Sequence, residues 1–294
     1  MKDGHVFSEY RLNNAFAERD AQAALGLRHL WSLNDNIKLQ GGFERTHSFS
    51  GNSNSAESMA ITGAIEYTNN PLWKGSARLE YRNSQTSDTI FSSLGAAYKL
   101  NEEWTFLGKN AFELTKNKDA PNTLRDRVQL GLAYRDATTN LWNGLLRFEQ
   151  RYEHADAPLA GFASDRSVSI VSGHVNYQPN NKLIYSGHYA GKWVNDKSND
   201  FSSRSNLHLL SGRFTYDFSK KWDVSGNASA LFSGDMRSRQ GGLGLEVGYL
   251  VKDNLWLSGG YNIFGFSDKD LVGEGYTNPG IFARIRFKFD ENSF

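Results

Sequence analysis

The chain has no cysteine, which excludes disulfide scaffolds, thiolate metal sites and cysteine nucleophiles and suits an oxidising compartment. It has almost no net charge: 33 Lys+Arg against 32 Asp+Glu leave +1 over 294 residues. Nucleic-acid partners call for a basic excess and are not expected. No run of about 18 apolar residues exists, so no membrane-spanning helix is written in the sequence. Proline is scarce at 5, hydrophobic residues reach only 39%, and mean hydropathy is −0.57. Behind Met1-Lys2-Asp3-Gly4 there is no apolar h-region, so the chain reads as one lacking a leader or an upstream part.

Aromatic residues and glycine are abundant, with 19 Phe, 13 Tyr, 7 Trp and 28 Gly. The aromatics argue against disorder, and glycine with Asn and Ser points to β structure with many turns. Alternation then organises the chain. Trp73, Gly75, Ala77, Leu79 and Tyr81 alternate with Lys74, Ser76, Arg78, Glu80 and Arg82. Val128, Leu130, Leu132 and Tyr134 do the same against Arg127, Gln129 and Arg135, and Ile281, Ala283 and Ile285 against Arg284 and Arg286. Period 2 is the mark of a strand with one apolar and one polar face. Sixteen such segments begin near residues 5, 20, 36, 57, 72, 88, 103, 123, 141, 166, 181, 204, 221, 238, 254 and 279. Each runs about ten to thirteen residues, long for a soluble strand and suited to a tilted transmembrane one.

The connections alternate as well. Asn34-Asp35-Asn36, Asn69-Asn70, Asn101-Glu102-Glu103, Thr138-Thr139, Pro179-Asn180, Ser219-Lys220 and Lys252-Asp253 read as short turns. Ser48–Ala56, Lys116–Asn122, His154–Asp165, Asp196–Ser203 and Ser267–Asn278 read as longer polar loops. Tyr67/Trp73, Tyr98/Trp104, Tyr216/Trp222, Tyr177/Leu183, Tyr249/Leu255 and Trp31/Ile37 share a six-residue spacing across these turns. That spacing is read as placing each pair directly opposite on one face. Trp31, Tyr67, Trp73, Tyr98, Trp104, Tyr134, Trp142, Tyr177, Tyr216, Trp222 and Tyr249 then form a membrane-interface girdle. The expected fold is all-β. Residues 1–294 form a single domain, a transmembrane antiparallel up-and-down β-barrel of sixteen strands with short periplasmic turns and longer extracellular loops.

Specific stretches carry a family resemblance. Gly248-Tyr249-Leu250-Val251-Lys252-Asp253-Asn254-Leu255-Trp256-Leu257, Asn70-Pro71-Leu72-Trp73-Lys74-Gly75 and Lys192-Trp193-Val194-Asn195-Asp196 are the clearest. They resemble the C-terminal barrel of very large multidomain, repeat-containing bacterial surface proteins of adhesin-like type. The resemblance implies an outer-membrane anchor or conduit for upstream domains. Ile285, Phe287 and Phe289 in the last strand resemble the signal read by the barrel-assembly machinery.

With the apolar set facing lipid, the alternate set lines the interior. The expected pore-lining residues are Arg78, Arg82, Arg127, Arg135, Arg147, Glu149, Arg151, His174, His188, Arg213, Arg284, Arg286 and Lys288. Basic residues outnumber acids there, and a basic wall concentrates anions. Arg147, Arg151 and Arg284 are expected to set ion selectivity. His174 and His188 point inward as diagonal neighbours, with Ser172 and Ser186 nearby and no carboxylate to orient a base. Asp268, Asp270 and Glu274 lack the spacing of a calcium site, and Gly241-Gly242-Leu243-Gly244 lies in a strand rather than a phosphate loop. Its glycines are read as allowing close strand approach beside Tyr249. No enzyme, metal or cofactor is expected. The functional expectation is an aqueous pore with a basic lumen in the bacterial outer membrane, the anchor or conduit of a larger surface or export protein. The alternatives are a porin-like channel for anionic solutes and an exporter of acidic polysaccharide. Expected partners are outer-membrane lipid and lipopolysaccharide, the assembly machinery and the protein's own upstream domains.

Overall fold

The computed structural model describes residues 4–15, 18–50, 57–157, 162–199, 201–252, 255–265 and 279–287. The first strands are β1 (Gly4–Ala15), β2 (Glu18–Ser32), β3 (Ile37–Ser50), β4 (Glu57–Tyr67) and β5 (Trp73–Ser84). Next come β6 (Ser87–Lys99), β7 (Trp104–Asn117), β8 (Thr123–Arg135), β9 (Trp142–Ala155) and β10 (Ser164–Asn180). The chain continues through β11 (Leu183–Ser198), β12 (Phe201–Asp217), β13 (Trp222–Ser233), β14 (Arg239–Lys252), β15 (Leu255–Phe264) and β16 (Gly280–Phe287). All lie in one antiparallel sheet in chain order, each strand paired with the next. Among the described residues no ladder joins β1 to β16.

Burial runs opposite to that of a soluble protein. Along β14, Leu245 is 55% exposed while the adjacent Glu246 is 3% exposed. Leu79, Leu130 and Leu146 are likewise exposed, whereas Glu149 and Ser225 are buried. The polar face is therefore the concave one. Strands two apart in a flat sheet lie about 9.5 Å from each other, beyond most direct side-chain contact. On this face such contacts recur: Arg82 of β5 reaches Glu44 of β3 at 3.1 Å, and Arg213 of β12 reaches Glu246 of β14 at 2.7 Å. Curvature brings these groups together.

One reading of the connections is corrected. The stretch 196–203 is largely strand, because the β11–β12 ladder continues to Ser198↔Phe201 and the residues expected in a loop extend the hairpin. The β5–β6 connection is also short, ending in the Asn83↔Asp88 pair. Loop length thus separates the two ends of the sheet less cleanly than the sequence implied. Lys288, Asp268, Asp270, Glu274, Leu159 and Phe289 lie outside the described residues.

Candidate functional site: the charged concave face

The short-turn end fixes the aromatic residues. Asn101 Oδ1 accepts from the backbone N–H of Glu103 at 2.9 Å and of Trp104 at 2.8 Å. Asn70 does the same for Leu72 and Trp73, Asn34 for Asn36 and Ile37, and Ser219 for Lys221 and Trp222. Each is an Asx- or Ser-type turn that terminates one strand and starts the next on an aromatic or aliphatic residue. The register that results corrects the six-residue reading. Across these turns residue i faces i+8: Trp31↔Leu39, Tyr67↔Gly75, Tyr98↔Phe106, Tyr177↔Tyr185, Tyr216↔Val224 and Tyr249↔Leu257. Residues six apart are diagonal, although Tyr67 and Trp73 still stack at 4.2 Å. The directly opposed pairs belong to the other set of hairpins: Trp73↔Tyr98, Trp104↔Tyr134, Trp142↔Tyr177 and Trp222↔Tyr249. The rings of the last three pairs lie 4.7, 4.2 and 4.7 Å apart. Trp256 departs from the belt, turning to the concave face, where Nε1 donates to Asp223 Oδ2 at 2.6 Å.

Three carboxylates, two buried (Glu149 and Glu246) and one half-buried (Glu80), organise the concave face. Glu149 accepts from Arg127 Nε at 2.7 Å, Arg151 Nε at 2.5 Å and Gln129 Nε2 at 2.7 Å. Glu80 is held by Arg78 at 2.6 Å and by Arg82 at 3.0 Å, and Arg82 also reaches Glu44. Glu246 takes Arg213 at 2.7 Å, Arg284 at 3.5 Å and the Ser258 hydroxyl at 2.5 Å. A carboxylate buried this far stays ionised only when surrounded by donors, and each has them. Much of the expected basic lining is thus neutralised by its neighbours.

Lys74, Lys109 and Arg147 are the contrast. Among the described residues none of them has an ion-pair or hydrogen-bond partner. They border a cavity of about 640 Å³ on the concave face between β4 and β9, with Glu66 at its edge. The row from Lys74 runs through Ala97, Leu107 and Gly131 to Arg147. Small residues at Ala97 and Gly131, with Gly95 opposite Lys109, keep that wall low. The structure therefore divides the three residues expected to set selectivity: Arg151 and Arg284 are clamped, and Arg147 is not.

On the opposite stretch the same face is apolar. Val168, Ile170, Ala190, Leu209 and Leu231 form a buried cluster, with Val194 and Leu207 packed on it. Ile170 faces Glu149 on one side and Lys192 on the other, so it belongs to the charged face. The expectation that apolar residues face outward fails here, because β10 is apolar on both faces. His174 and His188 are directly opposed rather than diagonal, with ring centres 5.9 Å apart. The glycines of β14 also do something other than expected. A side chain at Gly244 would collide with Asn262 and Asn227, and one at Gly248 with Asp223 and Trp256. Their absent side chains make room on the concave face for these polar groups.

Sequence reasoning missed one rim cluster. His154 lies between Asp165 at 2.8 Å and Asp156 at 3.2 Å, and the Tyr152 hydroxyl donates to Asp165 at 2.7 Å. The signal was that His154 continues the alternation of β9, which runs to Ala155. At the opposite end of β9, Asp136 caps the β8–β9 turn, accepting from the N–H groups of Thr138 and Thr139 and from the Thr139 hydroxyl. These donors lower its carboxyl to about 2.

No family model and no curated protein matches the chain. Solved outer-membrane structures share its fold. The alcaligin outer membrane receptor FauA of Bordetella pertussis superposes with a TM-score of 0.61 at 10% identity, over 96% of this chain and 56% of the receptor. The ferric-catecholate import receptor Fiu of E. coli K12 gives 0.64 at 7% identity, over 88% of this chain and 58% of its own. The ferric citrate transporter FecA gives 0.56 at 8% identity, covering 84% and 49%. The chain thus spans about half the length of these proteins, and the likeness is one of fold. The multidomain surface proteins that the sequence resembles are not among these three.

Proposed function

We propose that the chain is an outer-membrane β-barrel whose sheet closes β1 onto β16 around an aqueous, anion-preferring pore. Closure follows from physics: two open strand edges cannot be left in hydrocarbon, where every backbone group needs a partner. The sixteen paired strands are a porin-class number, wide enough for water inside. The turns that follow β2, β4, β6, β8, β10, β12 and β14 face the periplasm, with the aromatic belt at that interface. The observation that carries the pore reading is the wall from β4 to β9, where Lys74, Lys109 and Arg147 border an open cavity with no ion-pair partner among the described residues. Uncompensated cations beside water focus anions.

Single-channel recording of the refolded chain in a planar bilayer with a salt gradient tests this. Steady steps with an anion-selective reversal potential are the expected result. Silence from a correctly folded barrel contradicts the pore and leaves the second reading, an anchor or conduit for upstream domains. That reading draws on the sequence resemblance and on the apolar cluster of β10–β13, which narrows the interior on one side.

A further inference from the structure

A second aromatic group lies far from the turn belt. On the apolar face of β11–β13, the His208 ring has three aromatic neighbours. Trp193 stands edge-on at 5.6 Å, while Phe232 at 5.5 Å and Tyr189 at 6.2 Å lie nearly parallel to it. The Tyr189 hydroxyl and His208 Nδ1 are 3.0 Å apart. When the hydroxyl donates, the imidazole proton sits on Nε2, which has no partner among the described residues and points a donor outward. Leu210 beside it is exposed, so this nest sits on lipid-facing surface.

Two cations border the nest. Arg204 faces Asn195, one step beyond Trp193 toward the strand tips. Arg239 faces Phe232 and spends only its Nε, on the Met236 carbonyl. Lys197, four residues beyond Trp193, faces Asp165 and has its charge offset there, so it is not part of this group. Among the described residues no carboxylate makes an ion pair with Arg204 or Arg239. On a surface otherwise apolar, uncompensated cations above an aromatic platform match an amphipathic anion: phosphate on the guanidinium and imidazole groups, acyl chain on the rings.

We propose that this outward face of β11–β14 binds a phosphorylated lipid headgroup of the outer leaflet, through Arg204, Arg239 and His208. The site rests on the membrane-barrel reading. A free phosphate has no use for the rings and exposed Leu210, so the lipid is the source the surface fits.

Native mass spectrometry of the folded chain in a neutral detergent tests the site, with lipid A as the probe and phosphatidylcholine as the uncharged comparison. The chain is expected to retain lipid A in preference to phosphatidylcholine. The double variant Arg204→Gln/Arg239→Gln should weaken retention by about tenfold, the size of a lost charged hydrogen bond. His208→Phe keeps the ring packing and should weaken retention less. Heat-modifiable gel migration establishes that each variant is folded. Equal retention of both lipids, equal retention by the double variant, or displacement by millimolar inorganic phosphate overturns the site. Failure of the chain to enter vesicles overturns the membrane reading itself and is scored separately.

Discussion

The wall from β4 to β9 and the wall from β10 to β15 use the same alternation to opposite ends. On the first, Lys74, Lys109 and Arg147 stand without counter-charge beside low residues, Gly95, Ala97 and Gly131. On the second, Val168, Ile170, Leu209 and Leu231 fill the interior, and Arg213 and Arg284 are tied to Glu246. The first wall also carries the Glu80 and Glu149 clamps, but its three unpaired cations have potential to act on a solute; the second has its charge cancelled and its space occupied. The lesson is that a count of basic residues on a face says little about its field. What matters is which of them a buried carboxylate holds.

The largest way to break this comparison is at a clamp. Arg127→Gln with Arg151→Gln would leave Glu149, which is 0% exposed, facing Gln129 alone. Loss of about 3 kcal/mol is expected, read from urea titration of the folded state in lipid, since an unpaired buried charge costs that much. The matching change at the unpaired cations of the same wall, Lys74→Gln with Lys109→Gln, should leave stability nearly unchanged. Leu79→Arg or Leu130→Arg tests the outward assignment, with an expected loss of about 2–4 kcal/mol near the midplane. Tolerance of both would reverse the two faces.

Smaller effects sharpen the turn end. Asn101→Ala removes the side-chain acceptor of two backbone N–H groups and should cost about 1 kcal/mol, with loss of the near-ultraviolet signal of the Trp104–Tyr134 pair. Asp136 gives a pH dependence. Its folded-state carboxyl lies at about 2 against an ordinary 3.8, so its contribution is present above pH 3.8 and lost as pH falls toward 2. Asp136→Asn should flatten that acid limb, and an unchanged limb would remove the turn cap from the account.

What was legible in the sequence was local. The strand periodicity, the polar and apolar phases of β5, β8 and β14, and the clustering of Trp beside turns follow from near neighbours along the chain. The register was not, because Asn34, Asn70, Asn101 and Ser219 add capped turn residues that move the opposed position from i+6 to i+8. The signal existed as Asn-x-x-Trp at residues 70–73 and 101–104. The clamps were half legible: Arg127 and Glu149 sit on neighbouring strands, but Arg82 with Glu44 and Arg213 with Glu246 meet across two strands through curvature. The interior apolar cluster was hidden because Val168 and Ile170 alternate with Ser169 and Val171, giving β10 no polar phase to read.

The most direct test is a pair of reversal potentials in a planar bilayer under a salt gradient. Lys74→Gln/Lys109→Gln/Arg147→Gln should abolish most of the anion preference, while Arg213→Gln/Glu246→Gln, which removes a cancelled pair, should leave it in place. Equal shifts in the two variants, or a larger shift in the second, would contradict the claim that the unpaired cations of the wall from β4 to β9 set the field of the pore.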